Sequence, residues 1–147
     1  MKKISIVSSC FNEEDNIPVL YRGINEVIEK YIERYEFEFI FIDNDSTDFS
    51  QDELRKLAMD DKRVKLIFNS RNFGYIKSAY YAIMQASGDA VIYLASDLQD
   101  PPELIADFID NWEKGCDVVI ARKYDQKSFS FLNILRKFYY FALDLMK

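Results

Sequence analysis

The feature that most constrains the fold is a regular alternation of two kinds of apolar segment along the chain. Short runs rich in β-branched and aromatic residues predict buried strands, and the longer segments between them repeat apolar residues at helical spacing. Strands joined by helical crossovers run parallel, so the pattern predicts an α/β fold with a mainly parallel, doubly wound sheet and helices on both faces. The five predicted strands are 4–8, 37–42, 64–68, 90–94 and 118–121.

Four helices are predicted between these strands. The first is entered at Pro18, and the second opens with the S-x-x-E capping box formed by Ser50 and Glu53. The third is predicted to run over about 74–86. The fourth follows Asp100, which we predict to be its N-cap because two prolines follow it directly.

Composition excludes several classes of chemistry. The 147 residues include no His, which removes His-based general acid–base catalysis, Ser-His-Asp triads and the commonest zinc ligand. Cys10 and Cys116 are far apart, and we expect both to be small buried residues of a reduced, intracellular protein. No apolar stretch approaches the ~18 residues of a membrane span, and the short apolar run near the amino end predicts no signal peptide.

Charge is unevenly distributed along the chain. Residues 122–147 carry six basic and two acidic side chains, which leaves a net charge of −10 on residues 1–121. An acidic body argues against nucleic acid as a partner. We therefore divide the chain into a core domain, 1–122, and a basic amphipathic helical tail, 123–147, which we expect to begin an acceptor-facing or membrane-facing region. An anionic membrane surface and plain solvent both remain open as surroundings of the tail.

Polar residues cluster where each predicted strand ends. In a doubly wound sheet these ends meet at one edge, where such folds bind their ligands. Five clusters on one edge are more than loop polarity requires, so the sequence predicts a binding site there. The clusters are 9–14, 43–48, 69–72, 96–100 and 122–123.

The chemistry of this site is limited by its glycines. The four glycines are isolated, so neither Gly-rich type of phosphate-binding loop is present. A phosphate-bearing ligand would then be neutralised by a metal ion or by Arg and Lys. The strongest candidate is the segment DLQDPPE, in which Asp97 and Gln99 directly follow a buried strand. Their oxygens suit Mg²⁺ or Mn²⁺.

Four motifs resemble the amino-terminal half of a family 2 glycosyltransferase. The similarity is strongest to dolichol-phosphate mannose synthases and bacterial polyprenyl-phosphate glycosyltransferases, and it covers residues 3–122 in order. The resemblance implies a GT-A nucleotide-sugar-binding fold, an inverting reaction and a divalent metal held by a D-x-D motif. The motifs are SIVSSCFNEEDNIP (5–18), FIDNDSTD (41–48), the segment from RNFG to DLQDPPELI (71–105) and VVIAR (118–122).

The resemblance also implies roles for individual residues. Asp97 matches the second Asp of D-x-D, and Gln99 matches a Gln that joins the metal shell in this subgroup. Arg122 lies where a basic residue usually faces a phosphate, so Asp97 and Arg122 are the implied catalytic residues. The residues implied to contact the nucleotide are Phe11, Glu13, Asp43, Asn44, Arg71 and Ser96, with Asn72 completing the Arg-Asn pair of the family.

The sequence also departs from the family pattern. Ala95 replaces the first Asp of D-x-D, Ser9 replaces a usual Pro, and Asn44 and Asp45 replace an Asp and a Gly. Losing one carboxylate should weaken metal binding, although such ions are commonly held by one or two carboxylates and substrate phosphates. A catalytically silent module that still binds nucleotide-sugars is therefore the alternative to an active enzyme.

The implied mechanism is electrostatic. A metal ion and Arg122 would stabilise the leaving diphosphate while the acceptor attacks from the opposite face. No general base is evident, so either the acceptor is an ionised lipid phosphate or the base lies beyond residue 147. We expect action at the cytoplasmic face of a membrane. The apolar stripe of the tail, from Phe131 to Leu145, is predicted to contact a bilayer, the domain itself or a second protomer in a homo-oligomer.

Overall fold

The computed structural model describes residues 1–122. Four strands alternate with four α-helices, and a short 3₁₀ turn, Glu29–Tyr31, follows the first helix. The strands are β1 (Lys2–Cys10), β2 (Tyr35–Asp43), β3 (Val64–Phe68) and β4 (Ala90–Tyr93). The helices are α1 (Asn16–Ile28), α2 (Ser50–Asp60), α3 (Tyr75–Met84) and α4 (Leu104–Glu113).

All strand pairs of the sheet are parallel, and the spatial order is β3-β2-β1-β4. The chain moves outward from β1 to β3 and then returns to the other side of β1 with β4. This reversal places a topological switch point between β1 and β4, where ligands of such sheets bind. The predicted mainly parallel, doubly wound sheet is confirmed.

Helices cover both faces of the sheet, as predicted, but they cover them unequally. Helices α1, α2 and α4 supply the larger apolar core, with buried side chains such as Leu20, Leu54 and Ile109 packed against Phe39 and Phe41. Helix α3 alone contributes to the smaller core on the opposite face, where Ala82 packs with Val7, Ile40 and Ile42. Burial of these apolar surfaces is the main force that holds the layers together.

The predicted fifth strand, 118–121, does not form in the described part of the chain. Val118 and Ile120 are 76% and 81% exposed, so their side chains are not packed in a sheet. Residues 119–121 and β4 both line a cavity of about 550 Å³, and no backbone pairing joins them in the described structure. An apolar run therefore predicted a strand that has no hydrogen-bonded neighbour among residues 1–122.

Two predicted helix caps are also wrong. The side chain of Ser50 points inward, fully buried, and its Oγ accepts a hydrogen bond from the backbone N–H of Glu13 at 2.7 Å. The N-cap position is Phe49, whose side chain makes no capping hydrogen bond, and Asp48 Oδ1 accepts the N–H of Ser50 at 3.0 Å. Helix α4 begins at Leu104 with Glu103 at its N-cap position rather than Asp100, because the two prolines form a separate tight turn.

The predicted tail, 123–147, and every interaction expected of it lie outside the described residues. The domain boundary at residue 122 and the homo-oligomer through the tail therefore remain predictions. Within residues 1–122, no helix is both long enough and apolar enough to cross a membrane.

Candidate functional site

The loops after β1 and β2 are joined by hydrogen bonds between side chains and backbone. Asn12 donates its N–H to Ser46 Oγ at 2.9 Å, and its own Oδ1 accepts the N–H of Thr47 at 2.8 Å. Glu14 accepts the N–H of Phe49 at 2.7 Å. Asn12 adopts a φ of 57°, a left-handed conformation that asparagine tolerates well. The two loops thus form one hydrogen-bonded wall at the carboxyl edge of the sheet.

A cavity of about 180 Å³ opens between this wall, the end of β1 and the loop after β4. It therefore lies at the switch point, and five of the predicted site residues line it. These five are Phe11, Glu13, Asn44, Ser96 and Asp97. Its lining is completed by Ser9, Cys10, Asn72, Tyr75, Ser78 and Ala95.

Asp43 lies beneath the cavity wall and is fully buried. Its Oδ2 accepts hydrogen bonds from the backbone N–H of Ser46 at 3.1 Å and from Gln51 Nε2 at 2.8 Å. Burial, together with the carboxylate of Asp43, raises the pKa of the neighbouring Cys10 thiol. Cys10 is accordingly a neutral, buried side chain, as expected, whereas Cys116 is exposed, contrary to the expectation that both are buried.

Asn44 is the centre of a buried amide network. Its Oδ1 accepts hydrogen bonds from Ser78 Oγ at 2.7 Å, the backbone N–H of Phe73 at 3.0 Å and Asn69 Nδ2 at 3.1 Å. Its Nδ2 donates to Asn72 Oδ1 at 2.8 Å. Asn44 therefore fixes the loop between β3 and α3 against the end of β2.

The loop after β4 combines one buried anchor with exposed oxygens. Ser96 is buried, and its Oγ donates to the carbonyl of Ser9 at 2.9 Å, which ties this loop to β1. Asp97 is exposed at the cavity rim, and its Oδ1 accepts the N–H of Gln99 at 3.1 Å. Leu98 between them has a φ of 56°, so the backbone turns sharply here.

Asp97 and Gln99 carry carboxylate and amide oxygens, the ligand types that a hard divalent cation prefers, although Gln99 is not among the residues that line the cavity in the described structure. This donor set is small, since Ala95 contributes no oxygen from its side chain. Within residues 1–122, no three His, Cys, Asp or Glu side chains are grouped closely enough to hold a metal alone. Phosphates of a bound substrate and water are further ligands that such ions commonly take.

The two predicted arginines lie apart from the cavity lining. The guanidinium of Arg71 stacks over the ring of Phe73, 4.7 Å from its centroid, and the residue is exposed. Arg122 is exposed at the end of the described chain. Neither arginine is among the residues that line the cavity in the described structure.

Tyr75 is a residue of the site that the sequence did not indicate, and Tyr93 contacts it from the end of β4. Tyr75 lines the cavity, and its ring meets that of Tyr93 edge-on, with centroids 6.2 Å apart. The hydroxyl of Tyr93 lies 2.5 Å from Ser9 Oγ, and burial raises the pKa of this phenol. Ser9, an unusual residue at its position in the motif, is the sequence feature that could have drawn attention to this contact.

Comparison with known proteins gives two kinds of match. The sequence model described as "Glycosyl transferase family 2" matches residues 5–146. The bactoprenol glucosyl transferase of Shigella phage SfV is 40% identical over 126 residues, which cover 86% of this chain and 40% of that protein. The uncharacterized glycosyltransferase YkcC of Bacillus subtilis is 39% identical over 127 residues, or 86% of this chain and 39% of that protein. The chain spans about two fifths of the length of these curated relatives.

Solved structures share the fold. S. aureus TarS 1–349 superimposes with a TM-score of 0.64 at 23% identity, covering 87% of this chain and 40% of TarS. The mannosyltransferase PcManGT of Pyrobaculum calidifontis, solved with GDP-Man and Mn²⁺, gives a TM-score of 0.57 at 19% identity, covering 65% of this chain and 28% of that protein. These likenesses confirm the GT-A fold class predicted from the sequence motifs.

Proposed function

The chain belongs to glycosyl transferase family 2, and from this premise we propose that the protein moves a sugar from a nucleotide-diphosphate sugar to a polyprenyl phosphate at the cytoplasmic face of a membrane. The single observation that carries this proposal is the cavity at the switch point, whose lining joins five predicted site residues from three loops. Relatives named bactoprenol glucosyl transferases support the acceptor class.

In the proposed donor complex, the 44%-exposed ring of Phe11 contacts the nucleotide and Glu13 lines the same wall. Asp43 and Asn44 act on the nucleotide through the loops that they hold in place. Ser96 fixes the loop after β4 at the opposite side of the cavity. Arg71 and Arg122 supply positive charge for the phosphates, as the family resemblance implies.

Asp97 and Gln99 would hold a Mg²⁺ or Mn²⁺ ion together with the donor phosphates. When bound, such an ion stabilises the negative charge that develops on the leaving diphosphate. Neighbours in fold solved with Mn²⁺ support this choice of metal. A single protein carboxylate at this position makes metal binding depend on the presence of the nucleotide.

An ionised phosphate as acceptor accounts for the lack of an evident general base. One of its oxygens bonds to the anomeric carbon from the face opposite the diphosphate, which departs with the electron pair of the broken bond. The configuration at that carbon is thereby inverted. No proton has to be removed from such a nucleophile, so no His is needed.

The test is calorimetric titration of UDP, GDP and their sugars with and without Mn²⁺. We expect one nucleotide class to bind at least about tenfold more tightly with Mn²⁺ than without it. Asp97→Asn should remove this difference, because Asp97 is the only carboxylate of the two proposed metal ligands, Asp97 and Gln99. Ala95→Asp should increase the Mn²⁺ effect, because it restores the second carboxylate.

Asp45→Asn is the matched control, because Asp45 is an exposed aspartate of a neighbouring loop with a φ of 67°, which asparagine tolerates. An unchanged Mn²⁺ effect in Asp97→Asn would contradict the site. Donor turnover with polyprenyl phosphate in the full-length protein separates the enzyme from the silent module, which would bind donor without turning it over.

A further inference from the structure

Helix α3 differs from the other helices because its small side chains face the sheet and its large side chains face outward. It buries Ser78, Ala79 and Ala82 against the sheet, whereas α1, α2 and α4 bury isoleucines and leucines. The outward face of α3 carries its large apolar and aromatic side chains instead. These are Ile76, Tyr80, Tyr81 and Met84, which are 80%, 65%, 52% and 61% exposed. We call these four residues the α3 face.

A contiguous exposed apolar face of this kind marks an interaction surface. Single exposed apolar residues are ordinary, but these four lie at positions i, i+4, i+5 and i+8 of one helix and therefore adjoin. Small residues bring the helix close to the sheet and leave its bulky side chains outside. The helix thus buries little of its own apolar surface in the domain.

The charge around the α3 face differs from that of the rest of the body. Helix α3 contains no acidic residue and one Lys, Lys77, and exposed Arg71 lies in the loop before it. The other α-helices of the described structure each carry at least one acidic residue, which in α1 is balanced by an Arg, and residues 1–121 have a net charge of −10. The α3 face is therefore apolar with a basic margin, which complements an anionic lipid surface.

The position of α3 connects this surface to the candidate site. Tyr75 and Ser78, in the first turn of α3, line the cavity. We propose that the α3 face lies on an anionic bilayer, with Ile76, Met84 and the ring of Tyr80 between them at the acyl boundary and Tyr81 at the headgroup level. This inference rests on the proposed function, because it brings the mouth of the cavity to the plane in which a polyprenyl phosphate carries its headgroup.

The test places a fluorescent label on the α3 face of the full chain. Cys116→Ser removes the exposed thiol, while Cys10 is buried and does not react. An environment-sensitive dye is then attached to Met84→Cys, with Met59→Cys as the matched control. Both methionines are exposed and lie near the end of a helix, Met59 in α2 and Met84 in α3.

With vesicles of phosphatidylcholine and phosphatidylglycerol, we expect the dye at 84 to brighten about threefold and to be quenched by nitroxide lipids, while the dye at 59 stays unchanged. Phosphatidylcholine alone should give a much weaker response, because the basic margin then has no counter-charge. In vesicle sedimentation, Ile76→Asp with Met84→Asp should weaken binding at least about tenfold, and Ile32→Asp with Met59→Asp should not.

Equal responses at 84 and 59, or unchanged sedimentation of the Ile76→Asp, Met84→Asp variant, would overturn the inference. Brightening at 84 without vesicles would also overturn it. In that case, brightening that grows with protein concentration would indicate that a second copy of the chain covers the α3 face. Brightening that does not depend on concentration would indicate that another part of the same chain covers it. Nucleotide titration of the same variants separates this failure from that of the proposed function, since the α3 face can fail while nucleotide binding persists.

Discussion

Two acidic side chains at opposite ends of the sheet have opposite surroundings. Glu38, near the amino end of β2, is 4% exposed and is held by Ser5 Oγ at 2.5 Å, Lys65 Nζ at 2.5 Å and the N–H of Ser87 at 2.7 Å. Asp97, beyond the carboxyl end of β4, is exposed and accepts a local hydrogen bond from the backbone N–H of Gln99 at 3.1 Å. The carboxylate of Glu38 is hydrogen-bonded to three other parts of the fold, whereas the carboxylate of Asp97 remains accessible to a ligand.

The difference separates a structural acid from a candidate functional one. Burial raises the pKa of Glu38, but hydrogen bonds from Lys65, Ser5 and Ser87 outweigh burial and lower that pKa to about 2. These bonds also fix the turn before β4, where Gly88 lies so close to Ser5 that an added Cβ would be 2.7 Å from its Oγ. Glu38 therefore has a structural role, because it links β2 to β1, to β3 and to the turn before β4.

The largest effect is expected from Glu38→Ala. Removing the carboxylate leaves Ser5 Oγ and the N–H of Ser87 without their partner, so we expect a loss of about 3 kcal/mol in the free energy of unfolding. Urea denaturation measures it. Glu36→Ala is the control, because Glu36 is exposed on the same strand. A loss no larger than that of the control would contradict the structural role of Glu38.

Acidification should reproduce part of the loss of stability expected for Glu38→Ala. The pKa of Glu38 is about 2 in the folded state against an ordinary 4.5, so its contribution is complete above pH 4.5 and disappears as the pH falls toward 2. Between pH 7 and pH 3 we expect stability to fall by about 2 kcal/mol more in the native protein than in Glu38→Gln. Urea denaturation at several pH values checks this. Parallel pH curves for the two proteins would refute the assignment.

An intermediate effect is expected at the carboxyl end of the sheet from Asn44→Ala. The substitution leaves the Ser78 hydroxyl and the N–H of Phe73 without their acceptor, while Asn69 keeps its second bond to Ser78 Oγ. We expect this to cost about 1.5 kcal/mol and to loosen the loop before α3. Hydrogen exchange at Phe73 and Gly74 reports the loosening directly. Asn12→Ala tests the same amide chemistry in the neighbouring loop wall, and protection at Phe73 should survive it.

The smallest effect on stability is expected from Asp97→Asn. An exposed carboxylate with one local hydrogen bond contributes little to folding, so the change should stay within about 0.5 kcal/mol. Thermal and urea unfolding measure it alongside the nucleotide titration. A large loss of stability would place Asp97 with Glu38 among the structural acids and remove the contrast between the two ends of the sheet.

The sequence predicted the layout of the site because that layout follows from topology. Parallel strands end at one edge, so polar residues after β1, β2 and β4 had to meet there, and Phe11, Glu13 and Asp97 do line one cavity. The motifs likewise indicated the family. The use of each polar side chain was not predictable, since Asn44 meets Ser78 across 34 positions of the chain.

Local patterns failed where contacts from distant segments decided the outcome. Ser50 matched a capping box, yet its hydroxyl accepts the backbone N–H of Glu13 from another loop, and its own N–H is bound by Asp48. The apolar run from Val118 to Ala121 matched a strand but has no paired neighbour in the described structure. Tyr75 was not indicated as a site residue, because nothing local in the sequence links it to Tyr93 or to the cavity.

Periodicity and turn residues alone determined the parallel sheet, its four helices and the edge on which polar loops gather, because these depend on short-range backbone preference and on which residues avoid water. Tertiary structure decided which side-chain oxygens are hydrogen-bonded within the fold and which remain exposed at the rim of the cavity. It also decided that α3 turns its small residues inward and its large ones outward. Both outcomes depend on the fit between segments far apart in the chain, which no local pattern encodes.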